Sequence, residues 1–160
     1  MAKIESMYST VLALHSLFRW FVVISLCYAI YRAYRGYINK FQFSVLDNKV
    51  RHWTATIAHI QLTLGILVYI KSPIIQYYFS DFKNLISDWN FTFFGLIHFV
   101  LMIGAVVLIT IGSAKTKRKK TDPEKFKTML VTYAIALFII LIAIPWPFSP
   151  LANRPYFRAF

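Results

Sequence analysis

Four apolar stretches, at residues 8–31, 53–77, 91–112 and 128–147, each run for 20 residues or more without an Asp or Glu. About 20 residues of α-helix cross the hydrocarbon core of a bilayer, so each stretch is long enough to be a span. Four such blocks in 160 residues carry more apolar surface than one small core can bury. Charged residues make up only 15% of the chain, whereas a soluble domain carries roughly a quarter. The expected fold is therefore all-α, a single transmembrane domain folded as an integral membrane four-helix bundle. The second stretch is the least regular, because Lys71 and Pro73 interrupt it; a lysine near a helix end snorkels to the headgroups, and a proline there ends or kinks the span.

Charge sets the expected orientation. The connection 32–52 holds Arg32, Arg35, Lys40, Lys49 and Arg51, and the connection 113–127 holds seven lysines and arginines, so twelve of the eighteen basic residues lie in two places. The second connection has only Lys83 against Asp81 and Asp88. The positive-inside rule then puts the two basic connections in the cytoplasm and both termini outside, in the periplasm, as in a multi-pass protein of a bacterial inner membrane. The run SAKTKRKK is accounted for in the same way: basic residues directly after a span retain a loop and attract anionic lipid, so no nucleic-acid partner is inferred. The flank MAKIES is nearly neutral and no small-residue cleavage site follows the first block. The first block is thus expected to be a span rather than a cleaved signal, with the mature chain starting at or near Met1.

Aromatic residues are expected at the two interfaces, with Tyr28, Tyr31, Tyr34, Tyr37 and Trp53 inside and Tyr77, Tyr78, Trp89, Trp146 and Tyr156 outside. The segment 144–157 holds four prolines, which should end the fourth helix near Pro145 and continue it as a rigid outer cap. Cys27 is the only cysteine, so an intrachain disulfide and a CxxC metal site are both excluded, and any metal ligand must be histidine, methionine or carboxylate.

Ionisable groups inside a bilayer are costly and mark function by default. His15 and Arg19, four apart, share a helix face; His52, Thr56, His59 and Thr63 form a stripe on the second helix; Gly95, His98, Met102, Ala105 and Gly112 form one on the third. All three stripes are expected to face the bundle interior. At 1.5 Å per residue, His15 and His98 sit roughly 7 and 5 Å to the outer side of their helix midpoints, and His59 roughly 9 Å to the inner side. In an up-down-up-down bundle the first and third helices are diagonal, roughly 11–14 Å apart. That gap suits two axial imidazoles, from His15 and His98, with the iron of a single b-type haem between them. The alternative also stands: each histidine is a hydrogen-bonded polar residue that holds helices together. His52 lies at the inner interface and reads as a headgroup-facing residue. Arg19 is at the midpoint of its span with no acid in any span to pair with. Its expected acceptor is a haem propionate, a lipid phosphate, a quinone carbonyl, a backbone carbonyl or an acid folded in from a loop. The lack of intramembrane acids speaks against a proton-coupled transporter or cation channel.

The segments LHSLFRW (14–20), VRHWTATIAHIQLTLGILVY (50–69), ITIGSAKTKRKKTDPEKFKTM (109–129) and IPWPFSPLANRPYFR (144–158) together resemble a family of small four-helix membrane proteins of Bacteroidetes-type bacteria labelled cytochrome b or cytochrome-b-like. The resemblance implies haem b with His15 and His98 as the axial ligands and His59 as the substitute ligand; the chain departs from two-haem cytochromes b, since four histidines with His52 and His59 on one helix do not make two stacked ligand pairs, so no more than one haem is expected. It implies an electron carrier or complex subunit rather than a free-standing enzyme. The partners expected with it are membrane lipid, a quinone, and a larger membrane complex or a second copy of the chain. Two other readings stay open: a non-enzymatic subunit of a larger complex, and a lipid- or quinone-binding protein that uses Arg19 and His59 without haem.

Overall fold

The computed structural model describes residues 2–147, with side chains from Met7 onward, and these residues contain helices and no strands. Four helices are long and apolar enough to cross a membrane. Helix α1 is Ala2–Ile38 and α2 is Val45–Lys71. Three short helices follow at one end, α3 (Pro73–Ser80), α4 (Phe82–Leu85) and α5 (Trp89–Thr92). A π-helical turn over Phe93–Ile97 joins α5 to α6 (His98–Arg118), and α7 is Asp122–Ala143. Around the bundle α1 packs on α2 and α7, and α6 packs on the same two helices, so α1 and α6 are diagonal as expected. The two basic connections lie at one end of the bundle, and α3, α4 and α5 at the other.

The helix boundaries differ from the apolar stretches for local reasons. The second span begins at Val45 rather than near residue 53, because Ser44 and Asp47 form a capping box in which each side chain takes the other's backbone N–H. It stops at Lys71 rather than 77: Pro73 cannot donate to the helix ladder, and Ser72 before it is extended, with φ −70° and ψ 121°. Residues 73–77 belong instead to α3, with Pro73 in its first turn. The fourth helix begins at a second capping box, Thr121 with Glu124, and ends at Ala143 just before Pro145. The rest of the proline-rich segment, with Tyr156, lies outside the described residues.

Between helices already surrounded by lipid the hydrophobic effect gives little, and close packing must hold the bundle. Val22, Leu26, Ala29 and Ala33 form the inner face of α1, and Phe126, Met129, Tyr133, Ala136 and Ile140 form that of α7, both at the three-to-four spacing of one helix stripe. Gly112 lets α6 approach α7 so closely that a Cβ there would collide with Thr132. Outward faces carry large exposed apolar residues such as Ile24, Val100, Val107 and Phe138, a surface suited to acyl chains. Among the expected interface aromatics, Tyr28, Tyr31, Tyr34, Tyr37, Trp53, Tyr77 and Trp89 are exposed. Tyr78 is an exception: it is fully buried against Gly95, where a Cβ would meet its ring.

Candidate functional site

A cavity of about 210 Å³ opens among all four long helices in the half of the bundle away from the basic connections. A single water needs about 10–15 Å³ on this scale, so the space is that of a ligand and not of one bridging water. Its walls are mostly apolar, and His15, Ser16, Arg19, Gln61, Tyr69 and His98 supply polar groups. The cavity therefore brings together His15, Arg19 and His98. His59 is not brought there.

His98 is set by the chain ends around it. Helical carbonyls normally accept from the residue four positions on, and for Leu141 and Ala143 those residues are Pro145 and Pro147, which have no N–H. Side chains replace both lost donors: Trp146 Nε1–H donates to Leu141 O at 2.8 Å, and His98 Nδ1–H donates to Ala143 O at 2.8 Å. A carbonyl can only accept, so His98 Nδ1 carries a proton, and in the neutral ring Nε2 keeps a lone pair. A carbonyl bond at one ring nitrogen is the outer-shell arrangement that orients a metal-binding histidine. The turn just before His98 is π-helical, and the Gly95 carbonyl within it accepts from Tyr69 Oη at 2.6 Å. π-turns of this kind occur often at functional sites.

His15 is held more loosely. Gln61 Nε2–H donates to the His15 backbone carbonyl at 3.0 Å, and that bond fixes which end of the amide faces α1. The same amide nitrogen is 3.5 Å from His15 Nε2, beyond the usual range for a strong hydrogen bond. His15 Nδ1 and Gln61 Oε1 are both buried with no hydrogen-bond partner among the described residues. A buried polar atom without a partner is uncommon enough to need an explanation, a ligand being one. Gly65 faces this ring, and a Cβ there would lie 3.0 Å from His15 Cε1. Arg19 sits near the middle of α1 on the same face; its Nη2 is 3.4 Å from Ser16 Oγ, and its guanidinium carbon is 5.6 Å from the centre of the Trp20 ring.

The two polar stripes on α2 and α6 turned out differently. Gly95, His98, Met102, Ala105 and Gly112 face inward or line the cavity, as expected. The α2 stripe faces outward: His52, His59 and Thr63 are exposed. Thr56 and Thr63 return their hydroxyls to the carbonyls of His52 and His59, and His59 Nε2 pairs with Thr110 Oγ1 at 2.9 Å. Hydroxyls satisfied by their own helix present little polarity to lipid, so the stripe did not have to turn inward. The inner face of α2 is instead Thr54, Ala55, Ala58, Gln61 and Gly65. Gln61 was missed as a site residue; its signal is a lone amide on the face marked by the small residues Ala58 and Gly65.

No protein-family model, curated protein or solved structure matches this chain.

Proposed function

We propose that this protein is a membrane electron-transfer subunit that holds one b-type haem between His98 and His15. The observation that carries the reading is the bond from His98 Nδ1–H to Ala143 O, on a residue that lines a ligand-sized cavity shared with His15; in the neutral ring this bond leaves Nε2 as the nitrogen able to act as a ligand. The donor set fits the group: one imidazole is oriented by a carbonyl, and the other has no strong bond at either ring nitrogen. Arg19 supplies a fixed positive charge toward a carboxylate of such a ligand, and Gly65 leaves room beside the His15 ring. Haem bound in this way supplies one-electron redox chemistry. The chain's own residues orient the ligand nitrogens, offset charge and, through the apolar wall, exclude water. This assignment agrees with the resemblance to cytochrome-b-like four-helix proteins. His59, exposed and paired with Thr110, has no part in it.

Visible absorption spectra of the full chain purified in detergent from haem-replete cells, oxidised and reduced, test the proposal. Bis-histidine bands are expected in the wild type, in His52→Ala and in His59→Ala, and are expected to be lost in His98→Ala. A colourless wild-type protein ends the haem reading. One observation favours a quinone in its place: the buried His15 Nδ1 and Gln61 Oε1 are suited as donor and acceptor for the carbonyl and hydroxyl oxygens of a quinone or quinol. In that case organic extraction of the colourless protein recovers quinone. The concentration of basic residues at one end of the bundle supports a cytoplasmic position for that end, with both termini periplasmic in a bacterial inner membrane. In a Cys27→Ser background, a cysteine at position 83 should then react with an impermeant thiol reagent from outside the cell, and one at position 117 should not.

A further inference from the structure

At the basic end, a pocket of about 280 Å³ lies between the start of α2, the end of α6 and the start of α7, lined by Phe43, Ser44, Asn48, Thr116, Lys117 and Lys125, with Val45 at its edge. Its hydrogen-bonding side chains are mostly donors, and no carboxylate lines it. Asn48 Oδ1 accepts twice from the guanidinium of the buried Arg51, at 3.1 and 2.9 Å, so the free end of that amide is its NH₂ group. Lys125 is already held by Asp122 at 3.0 Å, whereas Lys117 has no acidic partner among the described residues.

Thr116 is the telling residue. Thr56, Thr63, Thr110 and Thr132 all return their hydroxyls to the carbonyl four residues earlier. Thr116 is 0% exposed, lines the pocket, and its Oγ1 has no partner among the described residues. A buried hydroxyl at the wall of a cationic pocket is placed to donate to an anion. The adjoining surface is apolar: Phe41, Val45 and Leu46 are exposed next to the pocket in the chain, as a site that also meets acyl chains requires.

We propose that this pocket binds the phosphate of an anionic phospholipid headgroup, with Thr116 and Asn48 as neutral donors and Lys117 as the countercharge. An anionic headgroup is favoured over a zwitterionic one because the latter carries an ammonium that the surrounding lysines and Arg51 repel. The proposal does not depend on the haem assignment.

Native mass spectrometry of the full chain, released from detergent containing equal phosphatidylglycerol and phosphatidylcholine, reads the bound lipid directly. Wild type is expected to retain phosphatidylglycerol preferentially. Retention should fall at least threefold in Thr116→Val and in Lys117→Gln, while Thr116→Ser and, at the opposite end, Lys83→Gln should match wild type. Valine has the shape of threonine and removes only a hydroxyl without a partner among the described residues, so the delipidated variant should unfold at the wild-type temperature or higher. Phosphatidylglycerol should then raise that temperature less in the variant than in wild type. Equal retention of the two lipids by wild type overturns the proposal, as does wild-type retention in both Thr116→Val and Lys117→Gln. Stabilisation by inorganic phosphate with the same variant sensitivity, but no lipid preference, also overturns it.

Discussion

At the basic end of the bundle the buried polar groups form a bonded network; at the other end two buried polar atoms have no partner among the described residues. Asp47, 2% exposed, accepts from Arg32 at 2.7 and 2.9 Å and from the backbone and hydroxyl of Ser44 at 2.9 and 2.6 Å. Arg51, 6% exposed, donates to the Ser113 carbonyl at 3.1 Å, to Ser113 Oγ and to Asn48, while its own carbonyl accepts from Tyr133 Oη at 2.8 Å. Around the cavity His15 Nδ1 and Gln61 Oε1 have no such partners among the described residues. An unpaired polar group in a low-dielectric interior is destabilising, so it persists where something other than folding keeps it. The difference separates a region whose polar groups complete the fold from one in which the fold leaves polar groups open, where the proposed ligand would complete them. Thr116 is the exception within the bonded end, which is why a site is assigned there too.

The largest effect expected from breaking this contrast is at Asp47. Asp47→Ala removes the acceptor that ties α1 to the start of α2 and leaves Arg32 and the Ser44 N–H without their partner. A loss of about 3 kcal/mol in unfolding free energy is expected, measured by thermal or denaturant unfolding in detergent. Asp47→Asn should recover part of it. Ligand content per folded molecule should not change, because the cavity is at the other end. A change in ligand content at unchanged stability would mean that the two ends are coupled.

Tyr133→Phe probes the same network more gently. Its hydroxyl bonds the Arg51 carbonyl, a group that also belongs to the α2 ladder. The acceptor is therefore not orphaned, and a loss of about 1 kcal/mol is expected from the same unfolding measurement. A neutral result would indicate that the contact contributes packing alone.

How much of this was legible in the chain depended on whether a residue had a local alternative. His15 with Arg19, and the stripe through Gly95, His98 and Met102, were placed by helical periodicity because these residues meet their neighbours on facing segments or line the cavity between them. The α2 stripe misled because threonine can satisfy its hydroxyl on its own helix, so polarity did not specify the inner face while Ala55, Ala58 and Gly65 did. Hydropathy placed all four spans but not their ends, which follow the Ser44–Asp47 and Thr121–Glu124 capping boxes and Pro73, features only a few residues long. The His98 partner was partly legible, since Pro145 and Pro147 strip the donors from the carbonyls of Leu141 and Ala143. Which side chains replace them is decided by neighbours distant in sequence, as is the reach of Tyr69 to the π-turn at Gly95.

The smallest expected effect is the sharpest test of the contrast. Gln61→Met keeps the length and bulk of the side chain but removes its amide. In the protein without ligand it deletes a buried carbonyl oxygen that has no partner among the described residues, together with a donor to the His15 backbone carbonyl, which the α1 ladder also engages. These two changes oppose each other, since losing a hydrogen bond destabilises and removing an unsatisfied acceptor stabilises. The unfolding free energy is therefore expected to move by less than about 0.5 kcal/mol, or upward, whereas the loss of one hydroxyl at Tyr133 costs about twice that. The substitution also frees His15 Nε2 from the amide nitrogen 3.5 Å away, so haem occupancy measured from visible absorbance should equal or exceed wild type. A quinol, by contrast, loses in Gln61→Met the acceptor for its hydroxyl, and its recovery by extraction from the reduced protein should fall. A drop in stability of 2 kcal/mol or more would place Gln61 among the groups that complete the fold and remove the distinction between the two ends.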